Sequence, residues 1–342
     1  MKLHLLVTGA GGPVAQGITR ALRFSQFDIR LIAAGNSPWG AAVSAADRGV
    51  IVPDAREDSY IPAIKQICAE EHIAAVFAGT APDALKLSQA REELRRETNA
   101  TVMLPEPETL MLGSDRWSTV QFLKAHGLNY PVTVAAGDRN AVVRMVSACG
   151  YPVIVKPRMA WNSETPLVAA DEETLEFAIR RPKGLLVQEH LGGDEYDVGI
   201  FLKRDGSVAG SIAARQVART DSAVVEEVED FPGVRSEAER VALAVKSPGL
   251  YSVKVRIAAR GPVPFSITPG FSAAAGARAA LGFNEVEAAI WHFLTDEEVC
   301  LSTYKKGIFV KYSEETLVSG DCLALPNSNK AGEPVGETVG LA

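Results

Sequence analysis

Short apolar runs alternate with amphipathic segments through the first third of the chain. The run LHLLVT leads into the glycine-rich stretch GAGG, and PVAQGITRALRFS then places apolar residues at helical spacing. DIRLIAAG and AAVFAG are further strand-like runs, and the helical segments IPAIKQICAEEH and PDALKLSQAREELRRE lie between and after them. Strands that alternate with helices predict a parallel, doubly wound sheet, so we expect a Rossmann-like lobe over residues 1–112.

The pattern changes after this first lobe. SDRWSTVQFLKAHGL reads as a helix with Ser114 and Asp115 as N-cap candidates. Strand and helix alternate again from there to DEETLEFAIRR, which favours a small α/β lobe over residues 113–186. Longer strands then dominate, so we expect a β-rich lobe over residues 187–325. Residues 326–342 are polar and rich in Gly and Pro, which predicts a mobile tail.

Composition narrows the function classes. The 342 residues are 47% hydrophobic and 23% charged, as in ordinary soluble globular proteins. A net charge of −7 argues against a nucleic-acid or anionic-membrane partner. The N-terminus lacks a signal-peptide pattern, and no uncharged run suits a bilayer span. Paired spacing is absent among the cysteines, so we expect reduced thiols and a cytoplasmic location; they are Cys68, Cys149, Cys300 and Cys322.

The turn GAGGPVAQG has part of a dinucleotide-binding fingerprint. That motif needs glycines at its first, third and sixth positions, so that the backbone can approach a pyrophosphate. Gly9 and Gly11 fit, but the sixth position is Val14, and the second strand ends in AAGNSP without an acidic residue. The pattern therefore favours a tight strand-to-helix turn over an NAD or NADP site.

The order of the later motifs resembles the ATP-grasp superfamily. DRWSTVQFLKAHGL is followed by GYPVIVKPR, LLVQEHLGGDEYDVGIF, a hairpin that ends in FSITPGFS, and RAALGFNEVEAAI. The resemblance covers residues 1–312 and is strongest to single-module relatives of the carbamoyl-phosphate synthase large subunit. It implies an α/β protein of ATP-grasp architecture, in which a Rossmann-like lobe precedes a two-lobed α+β ATP-grasp module.

The resemblance also implies a site for ATP or ADP. Arg116 matches the basic residue that touches the nucleotide phosphates, and Lys156 matches the strand lysine that binds the α- and β-phosphates. Glu189 and Leu191 match the hinge that holds the adenine through backbone groups, and Glu195 matches the glutamate that bonds the ribose hydroxyls. We therefore expect Lys156 and Glu189 to face a common cleft between the two lobes.

The phosphate loop departs from the family pattern. Members of the superfamily carry a flexible Gly-Ser loop after the strand lysine, because glycine lets backbone N–H groups converge on an anion. This chain reads KPRMAWNSETPLV there, with Trp161 and Glu164 in the loop and Pro166 removing one N–H donor. Neither a bulky indole nor an added carboxylate suits a loop that closes on a polyanion.

The metal-binding pattern has lost its ligands. The family carries Gln on one strand and Glu-x-Asn-Pro-Arg on the next; these positions hold Lys254, Ser266, Thr268 and Gly270 here. Because magnesium prefers carboxylate oxygens, we predict no magnesium at the family site and assign no metal or catalytic residue. Lys254 should point into the former metal site, near nucleotide phosphates if they bind, with Glu164 as its partner if they do not.

Three hypotheses remain open. The first is a catalytically silent ATP-grasp homologue, a nucleotide-binding or structural and regulatory partner of an active ligase or of its own copies. The second is an active ATP-dependent carboxylate-amine ligase in which Lys254 replaces the metal. The third is a small-molecule binding protein that reuses the cleft. The acidic run at Glu226, Glu227, Glu229 and Asp230 is interpreted as a solvated loop rather than a metal site.

Overall fold

Three β-sheets and the helices around them form the fold. The computed structural model describes residues 2–40, 45–160, 165–180, 184–220, 223–295, 297, 299–312 and 334–335. Its strands are β1 (Leu3–Thr8), β2 (Ile29–Gly35), β3 (Arg48–Ile51), β4 (Ala75–Ala78), β5 (Thr101–Val102), β6 (Thr133–Ala135), β7 (Val153–Pro157), β8 (Leu167–Ala169), β9 (Leu185–Glu189), β10 (Glu195–Leu202), β11 (Val208–Arg219), β12 (Ala223–Val228), β13 (Gly249–Ala258), β14 (Gly261–Pro269), β15 (Gly307–Tyr312) and β16 (Pro334–Val335). Its helices are α1 (Pro13–Leu22), α2 (Tyr60–Glu70), α3 (Ala81–Gln89), α4 (Arg91–Thr98), α5 (Pro107–Ser114), α6 (Arg116–Ala125), α7 (Arg139–Cys149), α8 (Glu172–Ile179), α9 (Pro232–Val245), α10 (Ala275–Ala280) and α11 (Glu285–Leu294).

The first sheet is parallel from β1 to β5, in the order β3-β2-β1-β4-β5, with β16 antiparallel to β3 at one edge. Alternate residues of β1 enter different cores. Leu5 and Val7 pack with the apolar face of α1, whereas Leu6 packs with that of α2. The predicted parallel sheet is therefore confirmed, and its helices cover both faces as in other α/β folds.

Helix α1 also packs closely against α10, far along the chain. A Cβ added to Gly17 would lie 2.9 Å from the Ser272 carbonyl oxygen, and one added to Gly276 would lie 2.7 Å from the Arg20 Cβ. Only glycine fits at these two positions, because any larger residue would push the helices apart. The parallel sheet and the C-terminal helices consequently share one hydrophobic core.

The second sheet has six strands in the order β14-β13-β10-β11-β12-β15, and all its pairs are antiparallel. Helix α9 covers one face, where Val198 and Val253 are buried. The other face carries Asp197, Ser252 and Lys254 at the alternating positions. This polar face is the one that bears on function.

The third sheet has four antiparallel strands in the order β6-β9-β7-β8. Its apolar face, which includes Val153, Val155 and Val187, packs against α7 and α8. Side chains alternate along a strand, so Lys156 and Gln188 lie on the other face. Both are buried.

Several boundaries differ from the sequence expectation. The segment predicted as one helix after β4 forms α3 and α4, which meet at Ala90. Helix α10 and strands β12 and β15 were not predicted. Glu226 and Glu227 lie within β12 rather than on a loop. In this strand, Glu226 forms an ion pair with Lys311, and Glu227 forms one with Arg215.

Some expectations concern residues outside the described part of the chain. Residues 161–164 of the altered phosphate loop, including Glu164, lie outside it, and so does the predicted tail apart from residues 334–335. Within the described residues, none of the helices is long and apolar enough to cross a membrane. The lobe boundaries given above stay a prediction.

Candidate functional site

Lys156 is buried near the end of β7, with 7% of its surface exposed. Its ammonium donates to Gln188 Oε1 at 2.8 Å, and the Gln188 amide donates to Thr133 Oγ1 at 2.8 Å. Burial, reinforced by the neighbouring charge of Arg116, lowers the pKa of Lys156 to about 7. Sequence reasoning missed Gln188, although a glutamine inside the apolar strand LLVQE is itself a signal of a buried polar contact.

Arg116 is the first residue of α6 and lies against the end of the same strand. Its Nη1 donates to the carbonyl oxygens of Pro157 at 2.6 Å and Met159 at 3.2 Å. Asp115 caps the helix and forms an ion pair with Arg158 at 2.6 Å. The start of α6 is thereby fixed to the chain that follows β7, which holds Arg116 beside Lys156.

Arg116 and Lys156 are neighbouring cations, since the charge of Arg116 helps to lower the pKa of Lys156. Among the described residues, neither of them forms an ion pair, and their acceptors are carbonyl and amide oxygens. Burying like charges together costs free energy, which an anion bound between them would offset. The arrangement therefore has the electrostatics of an anion site.

The Glu189 side chain lies on the opposite face of β9 from Gln188. Its carboxylate forms an ion pair with Arg260, whose Nη1 lies 3.1 Å from Glu189 Oε2. The prediction that the Lys156 and Glu189 side chains face a common cleft is wrong, because successive strand residues alternate between faces. A role for the backbone of Glu189 and Leu191 in holding a base stays a prediction.

Glu195, at the start of β10, already has two partners. Its carboxylate oxygens lie 3.2 Å from Lys254 Nζ and 2.7 Å from an Arg256 guanidinium nitrogen. Burial acts to raise the pKa of Glu195, but the two cations hold it below its usual value. The predicted partner of Lys254 was Glu164, which lies outside the described residues, and the structure supplies Glu195. A ribose contact by Glu195 stays a prediction.

Lys254 stands across the ladder from Ser266 on β14 and from Asp197 on β10. Asp197 has partners of its own: it forms an ion pair with Arg278 at 3.0 Å and accepts a hydrogen bond from Ser252. The polar face of the large sheet thus carries a chain of matched charges. Lys254 is its most exposed cation, with 44% of its side chain accessible.

The oxygen donors at this place are hydroxyls and carboxylates that already have partners. Ser266 and Thr268 offer only hydroxyls, and the carboxylates on the same face, Glu195 and Asp197, are bound to cations. Magnesium requires several oxygens in near-octahedral geometry, and the Lys254 ammonium would repel it. Among the described residues there is also no group of three or more His, Cys, Asp or Glu that could hold a metal ion.

The glycine-rich turn after β1 lines a separate cavity of about 350 Å³. Gly9 has a φ of +62°, and a Cβ on it would lie 2.7 Å from Thr80 Cγ2, so this tight turn requires glycine. The charged side chains of the cavity are partnered: Asp54 pairs with Arg56, and Asp83 accepts from Tyr60 and Thr80. A tight strand-to-helix turn stays the simplest interpretation of the glycine-rich stretch GAGGPVAQG.

Two models of known families match the chain. Residues 5–102 match the model described as the PylC-like N-terminal domain, and residues 113–240 match the model described as the ATP-grasp domain. The second match contains Arg116, Lys156 and Glu195.

Solved structures have the same fold at low sequence identity. The N5-carboxyaminoimidazole synthetase of Staphylococcus aureus in complex with ADP is 13% identical, with a TM-score of 0.71 over 95% of this chain and 85% of that one. The biotin carboxylase domain dimer of the Hydrogenobacter thermophilus 2-oxoglutarate carboxylase, in complex with MgADP, is 17% identical, with a TM-score of 0.66 over 90% and 73%. The L-amino acid ligase of Bacillus licheniformis is 16% identical, with a TM-score of 0.64 over 85% and 74%. The chain therefore has the ATP-grasp fold, and two consecutive parts of it match the models of the PylC-like N-terminal domain and the ATP-grasp domain.

Proposed function

We propose that this protein binds ATP or ADP between the third and second sheets without magnesium, and that it does not transfer phosphate. In this proposal it acts as a regulatory or structural partner of an active ligase or of its own copies. The closer likeness to carbamoyl-phosphate synthase modules and the loss of the family phosphate loop and metal site belong to the proposal as well. The lobes over residues 113–186 and 187–325 would hold the nucleotide between them.

The pair of like charges formed by Arg116 and the buried Lys156 carries the proposal. A protein that gains nothing from this pair would lose stability by keeping it, since the ammonium of Lys156 is removed from water and meets no carboxylate among the described residues. A nucleotide phosphate supplies the missing negative charge, and charge-assisted hydrogen bonds to it are strong. The pair therefore makes sense as a binding feature that is completed by its ligand.

Lys254 supports the part of the proposal that concerns magnesium. It places a positive charge on the strand face where the resemblance locates the metal, opposite Ser266. A fixed ammonium offers part of the charge of a metal ion but cannot coordinate an attacking and a leaving oxygen at once. Phosphoryl transfer depends on such charge stabilisation, so nucleotide binding without turnover is the expected result.

The oligomeric part of the proposal rests on a structure with the same fold. The Hydrogenobacter thermophilus domain is a dimer, and this chain has its fold. An interaction with a second copy is therefore the simplest partner to test, and an active ATP-grasp ligase is the next.

An active carboxylate-amine ligase is the second candidate. The solved structures with this fold include a ligase and a carboxylase, and Lys156 matches the phosphate-binding lysine that the resemblance implies. In that case Lys254 would act in place of the metal during transfer. A small-molecule binding protein is the third candidate, which the cavities of the structure favour.

Calorimetric titration of the purified protein with ADP tests the proposal. We expect ADP to bind equally well with magnesium and with excess EDTA, and we expect ATP turnover no faster than in buffer. Binding that requires magnesium would contradict the metal-free site. ATP turnover that disappears in Lys156→Ala would contradict the proposal and favour the active ligase instead.

A further inference from the structure

A cavity of about 350 Å³ lies at the N-terminal end of α9, where β12 ends and β15 begins. The side chains that line it are all charged or hydroxylated, and they are those of Asp230, Arg235, Ser302, Thr303, Tyr304 and Lys306. None of them belongs to the candidate nucleotide site, and α9 covers the face of the large sheet opposite that of Lys254. A wholly polar lining favours a hydrophilic guest.

The chain that forms one wall of this cavity, residues 301–306, is held by backbone hydrogen bonds. The Leu301 N–H donates to the Ala209 carbonyl oxygen at 3.0 Å, and the Lys305 N–H donates to the Leu281 carbonyl oxygen at 2.7 Å. The opposite wall is the first turn of α9. Both walls are therefore in place before any ligand arrives, as is usual for small-molecule sites.

Arg235 has hydrogen-bond donors to spare. Its Nη1 donates to the Tyr304 hydroxyl at 3.2 Å and lies 3.6 Å from an Asp230 carboxylate oxygen, which is too far for a hydrogen bond. A guanidinium has five N–H groups, and the bond to Tyr304 is the one hydrogen bond that this guanidinium makes among the described residues. An arginine with unused donors beside a cavity suits bidentate recognition of a carboxylate.

Asp230 supplies the opposite charge. Its side chain is 60% exposed, and among the described residues its carboxylate accepts no hydrogen bond. The other cation of the cavity, Lys306, is paired with Glu229 at 2.8 Å. An anion in the cavity would be repelled by Asp230 and a cation by Arg235, whereas a zwitterion meets an opposite charge at both of its ends.

We propose that this cavity binds a small polar α-amino acid, with its carboxylate on Arg235 and its ammonium on Asp230. Both charged groups of such a molecule are attached to one carbon, which suits the 3.6 Å separation of the two protein groups. The hydroxyls of Ser302, Thr303 and Tyr304 suit a polar side chain. A cavity of roughly 150 Å³ accepts benzene, so the larger volume here has room for an amino acid together with water. The cavity shares no residue with the candidate nucleotide site, so the two can bind independently.

Titration of the full chain with L-serine, followed by ligand-detected NMR, tests the site. We expect saturable binding of L-serine and at least tenfold weaker binding of 3-hydroxypropanoate and of ethanolamine, because each of these lacks one of the two charged groups. Arg235→Gln should weaken binding of L-serine at least tenfold, and so should Asp230→Asn. Arg139→Gln, in an exposed ion pair on α7, makes the same chemical change elsewhere and should leave binding unchanged.

ADP affinity measured on the same samples separates this inference from the proposed function. Asp230→Asn should change ADP affinity less than twofold, and L-serine binding by a wild-type protein that ignores ADP would support the cavity while removing the nucleotide proposal. Asp230 is exposed, so its variant serves if Arg235→Gln does not fold. Three results would overturn the inference: no saturable binding of L-serine, equal binding of 3-hydroxypropanoate or ethanolamine, or L-serine binding that a folded Asp230→Asn protein retains in full.

Discussion

Two buried cations of this protein have opposite surroundings. Arg278 is 1% exposed and lies 3.0 Å from the carboxylates of both Glu285 and Asp197. Lys156 is 7% exposed, and among the described residues it meets one amide oxygen and a second cation, Arg116. A matched buried charge is compensated by its counter-charges, whereas an unmatched one is costly until an anion arrives. The absence of a counter-charge among the described residues, and not burial by itself, is what points to a ligand site.

The largest expected effect comes from breaking the matched cluster. Arg278→Met should lower the free energy of unfolding by roughly 3–5 kcal/mol, because it leaves buried carboxylates without their partner. Burial already acts to raise the pKa of Glu285, so this group should take up a proton in the variant. Urea denaturation gives the free energy of unfolding.

A surface pair provides the control for that measurement. Arg139 pairs with Glu176, and their side chains are 52% and 40% exposed. Arg139→Met should cost at most about 1 kcal/mol, as is usual for exposed ion pairs. Equal losses in the Arg278 and Arg139 variants would show that burial adds nothing to the contribution of the matched cluster.

Removal of the unmatched charge should act in the opposite direction. Lys156→Met keeps the apolar stem but removes the ammonium, so ligand-free protein should gain stability on the order of a few kcal/mol near pH 6. The same variant should lose detectable ADP binding, because the phosphate partner is gone. Thermal unfolding with and without ADP measures both effects.

Lys124→Met supplies the matched control, since Lys124 is exposed on α6. It should change neither stability nor ADP binding. A Lys156→Met protein that is less stable than wild type would mean that the lysine is part of the structural framework rather than of a ligand site.

The pH dependence gives the next largest effect. The pKa of Lys156 is about 7 in the folded protein and 10.5 when unperturbed. The cost of the buried charge is therefore fully present below pH 7 and disappears as the pH rises from about 7 towards 10.5. Across that window the ligand-free wild type should gain stability relative to Lys156→Met.

Nucleotide binding should show the reverse trend. A bound phosphate favours the charged ammonium, so binding above pH 7 should take up a proton and weaken as the pH rises. Calorimetry in two buffers of different ionisation enthalpy measures that proton. An ADP affinity that stays constant between pH 6 and pH 9 would show that Lys156 does not contact the phosphates.

The sequence pattern predicted the fold and some contacts of the candidate site, for physical reasons that differ between residues. Alternating strands and helices predict a parallel sheet, because the spacing of apolar residues in each segment indicates which face of that strand or helix is buried. Arg116 and Lys156 were candidates because they belong to short motifs, and in the structure they are near enough for the charge of Arg116 to lower the pKa of Lys156.

The remaining contacts could not be read from sequence. Glu195 and Lys254 are 59 residues apart, and their ion pair depends on the register of β10 with β13. The Glu189 pair with Arg260 likewise joins two sheets across 71 residues. The position of Gln188 inside an apolar strand indicated a buried polar contact. Its partner, Lys156, followed only from the pairing of β7 with β9.

The smallest expected effect concerns Lys254, whose surroundings are intermediate between those of Arg278 and Lys156. It has a counter-charge in Glu195, but 44% of its side chain is exposed. Lys254→Gln should change the free energy of unfolding by no more than about 1 kcal/mol, because a half-exposed ion pair is screened by solvent. Stability alone would therefore not reveal its role.

The role of Lys254 is tested by measuring ADP affinity instead. If the Lys254 ammonium contributes to the phosphate site, Lys254→Gln should weaken ADP binding by roughly two- to fivefold, and the wild-type advantage should shrink as salt rises from 0.05 to 0.5 M. Ser266→Ala, on the facing strand, removes a hydroxyl without changing charge and should leave the salt dependence intact. If Lys254→Gln and wild type bind ADP equally at low salt, Lys254 belongs with the matched charges of the large sheet, and the phosphate site ends at Arg116 and Lys156.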